Sequence, residues 1–261
     1  MYINRNILRL VGLGLLCSRT ILQAETMAIL KNPVLEITRI QNAIIIDGDL
    51  TDLEWGQARG TDYFLEIDPG DNLKPLEKTE VKVAYDDQNL YVAFWAFADP
   101  KDIRASYQNR DRAWGDDFVA IFLDTYGDAN AGTMIGSNPY GIQMDAKNNG
   151  GGNDDPSFDL VYDSKGRITD DGYQVEMAIP FSSLSFPDKN VQEWKIGFYR
   201  SLPREKRSQI IWGGLDRTNP CFLCQLGTLI GIQGITQRGS FEFLPAIVGS
   251  QVSELDQNNT L

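Results

Sequence analysis

Residues 110 to 117 read Arg110-Asp111-Arg112-Ala113-Trp114-Gly115-Asp116-Asp117, placing cations, an indole and carboxylates together at the entrance of an apolar run. Planar ionic groups pair with hydroxyls, and an indole face packs on C–H surfaces, so Arg110, Asp111, Trp114 and Asp117 suit a polyol ligand. A surface ion pair beside a core-edge Trp114 accounts for the same residues equally well. Asn138, Gln143 and Asp145 form a second polar set next to Pro139 and Gly141; a turn needing Asn-Pro and Gly explains these too. Asp116 and Asp117 are neighbours on an expected strand, so they face opposite sides. They cannot converge on one bond as the carboxyls of a glycosidase do, at roughly 5 to 9 Å, and no catalytic residue is nominated. Oxygen ligands for calcium could come from Asp47, Asp49 and Asp52, or from Asp124, Asp128 and Asn130. Neither set has EF-hand spacing, and solvated turns are the simpler reading.

The chain contains no His, which removes Ser-His-Asp and Cys-His nucleophilic sites and the H-E-x-x-H zinc helix. Its 24 Lys and Arg stand against 36 Asp and Glu, a net charge of -12, with no basic cluster for phosphates, so nucleic acid is not expected as a partner. Cys221 and Cys224 lie in Pro-Cys-Phe-Leu-Cys-Gln. No second cysteine pair exists to complete tetrahedral zinc, and Pro220 with a Gly-rich flank indicates a loop. A local structural disulfide is expected there, with redox chemistry the other reading.

These groups need a scaffold, and the scaffold has a period of two. Val81 to Tyr85 alternates, Asp86 to Asn89 supplies a turn, and Leu90 to Phe97 follows as a strand apolar on both faces. Phe118 to Leu123 and Tyr173 to Ile179 are further strands, with others expected at Leu160–Tyr162, Lys195–Tyr199 and Gln209–Trp212. Trp95 and Trp194 belong to the core of such strands. Helix is confined to single turns, one capped by Thr51 and one at Ser182-Ser183-Leu184. Residues 125–137 and 147–157 read as loops. The fold class is all-β, an antiparallel sandwich with one or two short helical turns.

Residues 1–24 carry three Arg, no acid and a short apolar run, Leu10 to Cys17, followed by Leu22-Gln23-Ala24 as a cleavage site, the layout of a signal peptide; an amphipathic or buried first helix is the other reading. Residues 25–39 read as a linker, 40–235 as the sandwich and 236–261 as a tail. Export places the protein in the periplasm, at the outer membrane or outside a bacterial cell.

Several strings, taken in order, resemble carbohydrate-binding module family 9. They are Ile46-Asp47-Gly48 through Asp52 and Trp55; Tyr85-Asp86-Asp87-Gln88-Asn89-Leu90-Tyr91-Val92; Trp114 to Asp124; Asn138 to Asp145; and Glu176-Met177-Ala178-Ile179-Pro180-Phe181. The resemblance covers about residues 40 to 235. It is nearest to exported bacterial proteins in which such a module precedes a C-terminal region of β-barrel character. It implies a jelly-roll sandwich that binds a polysaccharide or oligosaccharide without catalysis, associated with O-glycosyl hydrolysis and carbohydrate catabolism. In the family two Trp clamp a sugar. Trp114 matches the first; the loop of the second holds the cysteine pair, where Phe222 can supply the aromatic face. A hydroxyl-binding Glu and Arg of the family fall on Ala120 and Ile135. Phe241 to Ser250 resembles the start of the barrel region in longer relatives, so the tail reads as a truncated barrel start, with a terminal segment packed on the sandwich as the other reading. The alternative function is a structural or interaction module attached to an outer-membrane barrel, with no sugar affinity.

Overall fold

β-branched and aromatic residues at alternate positions favour extended chain whose two faces differ, and this chain forms little else. A computed structural model describes residues 27–149 and 154–236. The export-signal segment and the barrel-like tail from residue 237 lie outside the described residues. The strands are β1 (Val34–Glu36), β2 (Thr38–Arg39), β3 (Arg59–Thr61), β4 (Phe64–Asp68), β5 (Thr79–Tyr85), β6 (Asn89–Phe97), β7 (Phe118–Asp124) and β8 (Gly132–Ser137). They continue as β9 (Gln143–Asn148), β10 (Asp154–Asp155), β11 (Asp163–Thr169), β12 (Gly172–Pro180), β13 (Val191–Pro203), β14 (Arg207–Trp212) and β15 (Gly227–Gln233).

Among the described residues they form two sheets, a β-sandwich. One runs β1-β15-β13-β7-β8-β9-β10, with β14 and β4 branching from β13; the other runs β11-β12-β6-β5-β2, with β3 on β5. Pairing is antiparallel except where β1 joins β15 and β2 joins β5. Val119, Ile121 and Leu123 of β7 meet Val92, Phe94, Val175 and Met177 of the other sheet in one core, with Trp194 fully buried there. Trp95 packs on a smaller apolar cluster around Trp55 and Tyr91.

The opening Asp-Gly motif proves to be scaffolding. Glu176 on β12 is fully buried and accepts hydrogen bonds from the backbone of Asp47 and Gly48 (3.1 and 2.8 Å) and from Trp55 Nε1 (2.8 Å). Gly48 has φ +87°, and a Cβ there would lie 3.3 Å from the Gly166 backbone. Two strings of the family resemblance thus lock together through Glu176.

Some expectations need correction. Residues 132–137, read as loop, form the buried central strand β8; Gly136 fits because a Cβ would come within 2.9 Å of Val119 O. The described part of the 25–39 linker contains β1 and β2, which add to the two sheets. Leu160–Tyr162 is not a strand: side chains supply what a ladder would. Asp145 accepts from Leu160 N–H, Arg110 donates to Leu160 O, and Gln143 donates to Tyr162 O. The helical turn α1 (Leu53–Gln57) is preceded by Asp52, not Thr51, in the cap position. Asp52 spends its carboxylate on Ile45 N–H (3.0 Å). The Ser182 turn is a 3₁₀ turn over Phe181–Ser183.

Candidate functional site

Strand β7 has two apolar faces. Phe118, Ala120 and Phe122 point away from the sandwich core into a second cluster with Met134, Met144, Ala146, Leu223 and Leu226. Registry places Tyr199 of β13 opposite Ala120, and Met134 of β8 opposite Phe122. This outer face carries a continuous row of rings. Trp114 meets Phe118 edge-on at 5.9 Å, Phe118 meets Tyr199 at 5.8 Å, Tyr199 meets Phe122 at 5.8 Å, and Phe122 meets Phe222 at 4.8 Å. Trp114 and Phe222 therefore stand at opposite ends of one row, and both are half-buried. Ala120 lies in its floor, whereas Ile135 faces the main core.

The loop carrying Phe222 is closed by the Cys221–Cys224 disulfide, Cα–Cα 5.4 Å. A 3₁₀ turn, Leu223–Gln225, follows Phe222 and buries Leu223 against the same cluster. Tyr199 was not singled out from the sequence. Its signal was the parity of β13, in which Ile196 and Phe198 face inward and Tyr199 outward. Its hydroxyl donates to Gln209 Oε1 (2.8 Å), and burial raises its pKa.

Four polar candidates come together at one edge. Arg110 donates to Gln143 Oε1 (2.8 Å), to Asp145 and to Leu160 O (2.6 Å). Its Nε faces Asp111 at 3.5 Å and Asp159 at 3.1 Å, and its guanidinium lies over the Tyr162 ring at 5.4 Å. Burial opposes the Arg110 charge, but the Asp145 carboxylate outweighs it and holds the pKa above the ordinary value. Asp145 is fully buried, while the Arg110 side chain is 30% exposed. Arg110 and Gln143 thus retain surface, and Asp145 is their anchor.

Asp117 and Asn138 are not brought to that surface; both are fully buried. Asp117 points inward, accepting from Arg204 Nη1 (2.9 Å) and Arg104 N–H (2.9 Å). Asn138 donates to Ser106 O and Asp116 (both 2.9 Å) and accepts from Tyr140 N–H (3.0 Å) and Ile142 N–H (2.9 Å). These groups hold the loops, since a buried polar atom must be matched by a partner. Asp116 and Asp117 do serve separate partners, but neither lies on a strand: both precede β7, in the bend that leads into it.

The calcium sets do not converge either. Asp124 accepts from the backbone of Tyr126, Gly127 and Ala129, closing a turn, and Asp128 binds Asn130. Asp49 pairs with Arg167 at 2.9 Å. Among the described residues one acidic trio, Asp111, Asp145 and Asp159, has carboxylate oxygens within 4.8 Å of one another. Arg110 already supplies the positive charge at that place.

The described residues thus form a two-sheet sandwich with an aromatic row on one outer face and a charged cluster at its edge. Residues 46–208 match the carbohydrate family 9 binding domain-like family, and the chain belongs to it. Similar solved structures include a candidate carbohydrate-binding protein of Bacteroides uniformis, at 15% identity and TM-score 0.58, covering 76% of this chain and 98% of that one. A family 9 carbohydrate-binding module of Caldicellulosiruptor kristjanssonii is similar both in complex with cellotriose (18% identity, TM-score 0.54, 82% of this chain, 100% of that one) and with glucose (18%, 0.52, 81% and 100%). At these identities the likeness establishes the fold. No curated protein matches the chain.

Proposed function

We propose that this module binds carbohydrate on the outer face of the nine-stranded sheet, without catalysis. Trp114 and Phe222 supply the ring faces, and Arg110 and Gln143 supply hydroxyl partners. The observation that carries this reading is the aromatic row itself: five rings in contact on a sheet face pointing away from the core, with half-buried aromatics at both ends. Sugar C–H faces stack on such planes. The cellotriose and glucose complexes of a family 9 module support the ligand class.

The finer reading is a module exported to a bacterial envelope, working beside O-glycosyl hydrolases in carbohydrate catabolism. The Cys221–Cys224 disulfide supports an oxidising compartment. A glycan array probed with the protein tests the reading. Polysaccharide or oligosaccharide spots are expected to bind, and Trp114→Ala to lose about tenfold or more in affinity, since one stacked ring contributes on the order of 1.4 kcal/mol. No binding to any glycan, or equal binding by Trp114→Ala, would overturn it and favour a structural module attached to a barrel.

A further inference from the structure

Tyr107 and Tyr140 stack face to face, centroids 4.2 Å apart and planes 4° from parallel. Stacking covers one face of each ring, yet Tyr107 remains 78% exposed, so its outer face is open to solvent. Tyr107 sits on the segment that also carries Arg110 and Trp114; Tyr140 sits in the turn between β8 and β9. The pairing of Val119 with Ser137, and of Ser137 with Gln143, places that turn at the same end of the sheet as Trp114.

The platform is held from beneath. Asp116 accepts from both the N–H and the hydroxyl of Ser106 (2.9 and 2.8 Å), next to Tyr107. Buried Asn138 bridges the two loops, donating to Ser106 O and accepting from Tyr140 N–H (2.9 and 3.0 Å). A ring fixed in this way has little freedom left to lose when a ligand stacks on it. Gln108, Asn109 and Arg112 beside it are exposed planar polar groups suited to hydroxyls.

We infer that the outer face of Tyr107, backed by Tyr140, is an additional pyranose subsite beyond Trp114, so that the module prefers longer glycan chains to short ones. This rests on the reading of the aromatic row as the sugar face. Calorimetric titration with cellotriose and cellohexaose tests it. The unmodified protein should bind cellohexaose about threefold to tenfold more tightly than cellotriose, the gain of one added stacking contact. Tyr107→Ala should abolish that gain and leave cellotriose affinity unchanged, and Tyr107→Phe should keep it. If Tyr107→Ala retains the gain, or the unmodified protein binds both sugars equally, the subsite is overturned while the row stands. If the unmodified protein binds neither sugar, both readings fall for this glycan class.

Discussion

Arg200 and Asp117 are fully buried charges joined through one network of ion pairs. Arg200 on β13 reaches across to the other sheet, donating to Lys78 O (3.0 Å), Thr79 Oγ1 (3.1 Å) and Phe97 O (3.0 Å). Glu77 pairs with Arg200 and with Arg204, each at 3.0 Å, and Arg204 closes the chain on Asp117. Asp117→Asn leaves Arg204 on Glu77 and removes one charge-assisted hydrogen bond, so it is expected to lower stability by about 1.5–3 kcal/mol and to leave sugar affinity unchanged. Urea unfolding and calorimetric titration of the variant check the two halves separately. Loss of affinity without loss of stability would restore Asp117 as a ligand group.

At the scale of elements, the loop between β14 and β15 does for Phe222 what β7 does for Phe118. The disulfide closes the chain on either side of Phe222, so the ring reaches Phe122 without freedom to swing away. Replacing both cysteines, Cys221→Ser with Cys224→Ser, should weaken sugar binding about threefold to tenfold, the cost of ordering one side chain on binding. Unchanged affinity would mean that packing of Leu223 alone positions the loop. Strands β5 and β12, which alternate, and β6 and β7, which are continuous apolar runs, were legible in the sequence. Strand β8 was not, because Gly132, Thr133, Gly136 and Ser137 mimic a loop; its burial comes from neighbours on both sides. Leu160 to Tyr162 deceived in the other direction, since its apolar alternation serves a segment bonded by the side chains of Arg110, Gln143 and Asp145. Trp114 and Phe222 were legible through family resemblance, but the row joining them required the registry of β7 with β13. Periodicity reads which face a residue takes, and cannot read which strand lies beside it.

For the whole molecule, the buried tyrosines set a limit at high pH. Burial, with help from the Asp86 hydrogen bond, pushes the Tyr91 hydroxyl from 10.0 up to about 12. Burial also raises Tyr162, Tyr173 and Tyr199. Between pH 10 and about 12 the unfolded chain loses these protons while the folded chain keeps them, so stability falls as pH rises. The urea midpoint should hold to about pH 9.5 and drop steeply above 10; a flat profile to pH 12 would contradict the burial of these rings. The five tryptophans offer the most direct test of the sugar face, because Trp55 and Trp194 are fully buried and Trp114 is not. With 5-fluorotryptophan incorporated, a ¹⁹F NMR titration with cellotriose, or with the strongest ligand from the array, should move the Trp114 resonance and leave those of Trp55 and Trp194 in place. A saturable shift elsewhere with Trp114 unmoved would contradict the account.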